Sequence, residues 1–315
     1  MPEYEIEHLN FDDVPVHDGK KMGIGANVTI TAFNEYPVGL SVPPMGFEVL
    51  VPDCDASKPF IVIGSARSLT IDVKPNENVT AQGTGLIRKI PDALIRTCPD
   101  SKLSPLDEFV EHYLKGENAT VYIRGKKETS EVPDWLGDIF ESVTVPITLP
   151  GQSFDDFIRN LTLTDVDFKF PSPFAGPNDP AGKPRVSGVV EVLAILPQGF
   201  NVDVSVDSLR SIGDLIYKGE KFGVLNLRKW TSAKSQKIND QGNEDLLKIT
   251  SKVVDAPIDI TNNGVFSDLM SEMLFGGDEI LLDVHAKVDA KVGTVLGPLT
   301  LKQVPANGQI PVNGV

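Results

Sequence analysis

The sequence has little positive charge and no long apolar run, and each shortage excludes a class of function. Its 29 Lys and Arg residues stand against 44 Asp and Glu residues, so the formal net charge is -15. A chain this acidic is repelled by phosphate backbones and anionic headgroups, and no local basic stretch reverses the sign. Nucleic-acid binding and purely electrostatic docking on membranes are therefore excluded.

Membrane-spanning segments are also missing from the sequence. No window reaches the run of about 18 apolar residues that a span needs, and the amino-terminal stretch MPEYEIEHLNFDD is acidic rather than signal-like. We therefore expect a soluble chain, cytoplasmic if it is complete. If it is the ectodomain of an anchored protein, we expect the membrane anchor outside these residues.

Groups that carry catalysis are scarce. Only four histidines are present, and none stands at metal-ligand spacing from another histidine or a cysteine. His285 alternates with Asp283 and Lys287 along a predicted strand, so a solvated side chain is favoured over a general base. Dinucleotide-binding and Gly-x-Ser-x-Gly motifs are absent. We predict that the protein is not an enzyme and has no catalytic residue, cofactor or metal site.

Cysteine is limited to Cys54 and Cys98, which leaves two alternatives open. A disulfide between them would close a loop of about 40 residues and stabilise the fold by about 3 to 4 kcal/mol. Alternatively, both are free thiols in a reducing compartment. Four Asn-x-Thr sequons favour a secretory or lumenal glycoprotein slightly. They begin at Asn27, Asn78, Asn118 and Asn160.

An internal repeat is the strongest positive feature of the sequence. LDEFVEHYLKGENATVYIRGK, from Leu106, aligns with FSDLMSEMLFGGDEILLDVHAK, from Phe266. At the same separation, residues 34–37 align with residues 194–197, and farther upstream HLNFDDV matches NLTLTDV. Three matches in the same order predict two tandem copies, residues 1–151 and 152–315.

Each copy has several short strands, one late helix and then an alternating strand. Apolar residues at helical spacing follow the Ser104-Pro105 cap in the first copy, and residues 266–274 repeat the pattern. The alternating strand of the second copy, EILLDVHAKVDAKV, is the longer. This order predicts a mainly β fold of two elongated immunoglobulin-like β-sandwiches, each with one short amphipathic helix before a long strand.

Small residues on one face of that strand raise the question of what lies above them. Stacked sheets are about 10 Å apart, so valine and alanine need bulky partners or a ligand. Either helix side chains fill the core, or a groove binds a lipid or fatty acid, with about 0.8 kcal/mol gained per buried methylene. The candidate groove residues are Phe109, Tyr113, Val121, Ile123, Phe266, Leu269, Met270, Met273, Leu274, Leu282, Val284, Ala286, Val288 and Ala290.

The tandem pattern resembles the group-2 late embryogenesis abundant domain, also called the water stress and hypersensitive response domain. The run FNEYPVGLSV, residues 33–42, is similar to the Asn-Pro-containing strand of that family. The layout looks most like the fungal branch, which includes vacuolar membrane proteins with several such domains in the lumen. The resemblance implies a hydrophobic groove, lipid binding or transfer, and an endomembrane or vacuolar location. The alternative is a structural or adhesion module with solid cores that binds another protein.

Overall fold

The computed structural model describes residues 4–16, 21–126, 138–139, 141–149, 151, 158–172, 182–196, 198–239, 245–276 and 280–312. In these residues the fold is mainly β, with two seven-stranded antiparallel sheets and one two-stranded sheet. No helix in the described ranges is long and apolar enough to cross a membrane. The predicted mainly β class is therefore confirmed.

The first sheet is concave. Its strands are β1 (Tyr4–Val16), β2 (Lys21–Phe33), β4 (Gly46–Pro52), β5 (Phe60–Ser68), β7 (Asn78–Ile87), β8 (Ala119–Lys126) and β9 (Thr144–Leu149), in the order β1-β2-β7-β5-β4-β8-β9. β3 (Leu40–Val42) and β6 (Ile71–Val73) form the two-stranded sheet. The amide of Thr148 donates to the phenol oxygen of Tyr4 over 2.8 Å, so the edge strands β1 and β9 approach each other.

The second sheet curls in the same way. Its strands are β10 (Ile158–Lys169), β11 (Arg185–Ile195), β12 (Val204–Tyr217), β13 (Glu220–Asn239), β14 (Asp245–Ile260), β15 (Ile280–Thr294) and β16 (Gly297–Val312), in the order β10-β11-β14-β13-β12-β15-β16. A Cβ on Gly308 of β16 would lie 2.5 Å from Cδ2 of Leu161 in β10. The two edge strands are therefore in contact, and the sheet encloses its apolar side chains.

Helices α1 (Asp92–Ile95) and α2 (Pro105–Leu114) belong to the first half of the chain, and α3 (Asn263–Phe275) belongs to the second. Ser104 and Asp107 form a capping box at the start of α2, while Asn262 accepts hydrogen bonds from the first turn of α3. The two predicted helices are confirmed, because caps and helical spacing are local signals. The four-residue α1 was not predicted.

In the described residues, the second half of the chain contacts the first at two places. At the first, the amide of Phe11 donates to Gly199 O over 2.7 Å, and the amide of Asn201 donates back to Phe11 O over 2.8 Å. At the second, the amide of Lys302 in β16 donates to Asp107 Oδ1 over 2.9 Å. β12 begins at Val204, and residues 199–201 before it bond to the edge of β1.

Candidate functional site

The interior of the second sheet, where the longer predicted groove would lie, is filled. Leu269 and Met273 of α3 are 1% and 3% exposed, and they share an apolar cluster with Leu282 and Val284 of β15. A cavity of about 40 Å³ remains among these side chains. Ligand pockets usually measure about 300 to 1,000 Å³. This cavity is therefore too small for an acyl chain while α3 stays in place.

The other groove candidates of the second copy lie around this cluster. Half-buried side chains that border it or continue its face are Phe266, Met270, Ala286, Val288 and Ala290. Leu274, at the end of α3, is 48% exposed and does not line the interior. His285 is exposed on the other face of β15, opposite Asp214 of β12.

The first sheet has an apolar concave face of a different kind. Residues paired directly across antiparallel strands point to the same side of a sheet. The pairing places Phe11, Ala26, Gly85, Ala66 and Phe47 in one row across β1, β2, β7, β5 and β4. All five are only half-buried. Two phenylalanines thus flank three residues that have no side chain beyond Cβ.

The neighbouring rows extend this floor along β7. They consist of Leu9, Val28 and Gly83, and then of Ile6, Ile30 and Ala81. Each of these residues is also half-buried, in contrast to the core of the second sheet. We call the floor along β7, with its walls on β1 and β4, the first-sheet channel.

The glycines show how open the channel is. A Cβ built on Gly83 would have two non-adjacent heavy atoms within 4 Å, Arg67 O at 3.4 Å and Val28 Cγ1 at 3.5 Å. The nearest atom to a Cβ on Gly85 would be Ala26 Cβ, at 3.5 Å. These neighbours lie on the flanking strands β2 and β5. No described residue of an opposing layer therefore rests on this part of the floor.

Helices α1 and α2 cover one end of the same face. Leu94 of α1 packs on Val51 of β4 and Ile61 of β5, with Leu106 and Val121 at the margin of this cluster. Val51 lies on the same side of β4 as Phe47, because they are four residues apart in a strand. Ile61 lies beyond the Ile87 end of β7, away from the Phe33 end of β2. The channel is therefore covered at one end.

A disulfide fixes this cover. Cys54, in the loop after β4, is bonded to Cys98, between α1 and α2, with the two Cα atoms 5.8 Å apart. The predicted groove residues Phe109 and Tyr113 are half-buried on α2, and burial raises the pKa of the Tyr113 phenol. Ile123 of β8 lies opposite Val49, on the concave side. Of the groove candidates in the first copy, Ile123 and Val121 thus share the channel face, with Val121 at the margin of the covered cluster.

The convex side of the first sheet carries polar contacts, although Leu50, on the same side of β4 as Glu48, is fully buried there. Thr31 donates to Glu7 over 2.6 Å, and Arg124 donates to Glu48 over 2.6 Å. The sequon asparagines Asn27, Asn78 and Asn118 are exposed, and the first two pair with convex-face or strand-end residues. The side chain of Asn160 lies outside the described residues. Glycans on the exposed sequon asparagines would therefore not occupy the channel floor.

In the acidic turn after β4, a carboxylate finds its hydrogen-bond donors within the turn itself. Asp55 accepts hydrogen bonds from the amide and hydroxyl of Ser57, at 2.9 and 2.7 Å. These bonds hold the pKa of Asp55 below its ordinary value. In the part of the chain that the structure describes, no three His, Cys, Asp or Glu side chains are arranged to hold a metal ion.

Comparisons with known proteins give a partial match. Among curated proteins, no match is found. One solved structure is titled "Biofilm associated protein - BSP domain" and is 8% identical to this chain, with a TM-score of 0.19. The alignment covers 98% of this chain and 59% of that one. The chain thus spans about 59% of that chain's length, and a TM-score this low supports no inference. Residues 200–313, which contain β12 to β16 and α3, are similar to the family model of the Tag1 C-terminal domain.

Proposed function

We propose that this chain is a non-catalytic lipid-binding or lipid-transfer protein whose first-sheet channel holds an acyl chain. The observation that carries the proposal is the row from Phe11 through Ala26, Gly85 and Ala66 to Phe47, apolar throughout and only half-buried. No described residue of an opposing layer covers this row at Gly85, and apolar surface on a concave face gains free energy when an apolar ligand removes it from water.

The dimensions of the channel suit a lipid tail. The ten residues of β7 extend about 34 Å at about 3.4 Å per residue, and four strand spacings of about 4.8 Å separate β1 from β4. One leaflet of a bilayer has a hydrocarbon depth of about 15 Å, half of the usual 30 Å core. A tail of that length therefore fits along β7, and each buried methylene contributes about 0.8 kcal/mol.

We further propose that each copy, residues 1–151 and 152–315, is a form of the immunoglobulin-like sandwich that the family resemblance implies. The support is that α2 precedes β8 as α3 precedes β15. We also propose a lumenal endomembrane location, which the same family resemblance implies. It is supported by the Cys54–Cys98 disulfide, since disulfides persist in oxidising compartments.

A second candidate function is a structural or adhesion module that holds a protein partner. The observation that favours it is the double attachment between the two halves of the chain, through Phe11 with residues 199–201 and through Asp107 with Lys302. Two separate attachments resist bending more than one does. The filled core of the second sheet also suits a module of this kind.

Lipid extraction and mass spectrometry separate the two candidates. The chain, purified from eukaryotic cells without detergent, is expected to carry phospholipid or fatty acid and to take up a fluorescent fatty acid after delipidation. Absence of both would overturn the lipid proposal. A protein recovered by cross-linking, from a preparation that contains no lipid, would support the structural module instead.

A further inference from the structure

Large apolar side chains are exposed in succession where β2 ends. The exposed fractions are 50% for Phe33, 71% for Tyr36, 56% for Val38 and 52% for Leu40. We call residues 33–40 the apolar loop. Isolated apolar residues are common on protein surfaces, whereas a contiguous set marks an interaction site.

The side chain of Asn34 satisfies much of the backbone of this loop. Its Nδ2 donates to the carbonyl oxygens of Val38, at 3.0 Å, and Lys74, at 2.8 Å. Its Oδ1 accepts from the amide of Tyr36 over 3.2 Å. Backbone polar groups must find partners within the protein when they enter a lipid layer, because no water is available there. A loop that only meets water has no such requirement.

Further backbone bonds complete this arrangement. The amide of Asn34 donates to Glu77 O over 3.0 Å, and the carbonyl of Tyr36 accepts from the amide of Asn76 over 3.3 Å. Pro37, which follows Tyr36 in the loop, has no N–H that needs a partner. Apart from Asn34 and Glu35 the loop is thus apolar in its side chains, and the backbone groups named above have partners within the protein.

The charges around the loop indicate which lipid surface it fits. Lys74 and Glu77, beside the loop, lie 3.8 Å apart and balance each other. Glu35 is exposed within the loop, and the chain as a whole carries a net charge of -15. Anionic headgroups would repel this surface, whereas zwitterionic headgroups would not. Glu35 also confines insertion to the boundary of headgroups and acyl chains, about 5 to 10 Å deep.

The loop stands at the end of the first-sheet channel that lies opposite α1 and α2. Phe33 directly follows Ala32, which pairs with Tyr4 and Val79 in the last row of the concave face. The cover formed by α1 and α2 lies at the opposite end, beyond Ile87. We infer that the apolar loop inserts into a zwitterionic bilayer and places the adjoining end of the channel against it. This inference deepens the proposed lipid-binding function and rests on it.

Vesicle flotation tests the insertion. The full chain is expected to float with phosphatidylcholine vesicles, with no gain from added phosphatidylserine and little change with salt, since apolar insertion is not screened. Tyr36→Ser combined with Val38→Ser should weaken binding about tenfold or more, because each 1.4 kcal/mol lost is tenfold. The matched control is Ile212→Ser with Val254→Ser, which removes exposed apolar residues of the second sheet and should bind as the wild type does.

Several results would overturn the insertion. They are absence of flotation in the wild type, equal flotation of the two double variants, and binding that needs phosphatidylserine and disappears in salt. Fatty-acid uptake separates this failure from failure of the proposed function. The loop variant should keep uptake and lose flotation, whereas Gly85→Leu should lose uptake and keep flotation. If the wild type floats with vesicles but takes up no fatty acid, the proposal of a lipid-binding channel is overturned, whereas insertion of the apolar loop is still supported.

Discussion

At the residue scale, the carboxylate of Asp107 connects the two halves of the molecule. It is 2% exposed and accepts hydrogen bonds from the amide and hydroxyl of Ser104, at 2.8 and 2.7 Å. Its other oxygen accepts from the amide of Lys302, in the second sheet, over 2.9 Å. One side chain thus completes the cap of α2 and fixes β16 against it. Its removal leaves several buried donors without a partner.

We expect Asp107→Ala to lower the free energy of unfolding by about 2 to 4 kcal/mol, the sum of a lost cap and an unpaired buried amide. Urea denaturation measures the change. Asp72→Ala is the control, since Asp72 bonds only to the exposed Ser41 hydroxyl in the described contacts and surface changes usually stay within about 0.5 kcal/mol. Equal losses in the two variants would contradict this role of Asp107.

Of the two features that Asp107 connects, the sequence predicted one, the cap of α2. The cap at Ser104 followed from the Ser-Pro start of an apolar periodic segment, which is a local signal. The bond between Asp107 and Lys302 joins residues 195 positions apart. No local pattern specifies such a contact, because it depends on how two sheets are placed in space.

At the scale of elements, α3 is held on the second sheet by apolar contacts along its length and by a polar contact at Glu272. That carboxylate accepts hydrogen bonds from the Tyr217 hydroxyl and, over 2.7 Å, from Lys218 Nζ. The Lys218 ammonium, together with the Tyr217 hydroxyl, holds the pKa of Glu272 below its usual range. The same contacts raise the pKa of Lys218.

The contact at Glu272 predicts a stability that depends on pH. Because its pKa is lower in the folded state, its contribution is present above the ordinary Glu value of about 4.3 and is lost as the pH falls through the lowered one. Glu272→Gln should therefore flatten the decline of melting temperature below about pH 5. Asp268→Asn, an exposed change on the same helix, is the control. Identical profiles for wild type and Glu272→Gln would refute the contact.

The disulfide is a second link between elements. It closes a loop with a sequence separation of 44 residues, so Cys54→Ser with Cys98→Ser should lower the free energy of unfolding by about 3 to 5 kcal/mol. Denaturation with and without a reductant measures this in the unmodified chain. Two titratable thiols in the non-reduced protein, with no effect of the reductant, would show that the bond is absent.

The sequence predicted helices and strands better than it predicted which side chains pack on their faces. α2 and α3 follow from helical period and caps, β15 follows from alternation, and the structure has all three. Beside β15, whose Val and Ala side chains are small, the sequence left a filled core and a lipid groove as alternatives. Leu269 and Met273 occupy that space. The channel floor lies on β7, and no pattern indicated it, since periodicity identifies a strand but does not specify which layer covers its face.

At the scale of the whole molecule, two curled sheets of the same strand number have different interiors. The second sheet buries Leu215 and Phe222 to 4% and 1% exposure, whereas the row from Phe11 to Phe47 in the first is half-buried. The ring of Phe11, in one channel wall, lies 6.4 Å from that of Phe200. Phe200, which precedes β12 of the second sheet, thus lies against a wall of the channel, and we propose that the first sheet binds the ligand.

Fatty-acid binding by a matched pair of leucine variants tests this division of roles most directly. Gly85→Leu fills the channel floor, whereas Thr84→Leu adds the same side chain to the exposed convex face of the same strand. We predict that the wild type and Thr84→Leu bind a fluorescent fatty acid equally. Gly85→Leu should bind it about tenfold or more weakly, a loss of about 1.4 kcal/mol or more, with its melting temperature preserved. Equal binding by all three proteins, or no binding by the wild type, would contradict a lipid channel in the first sheet.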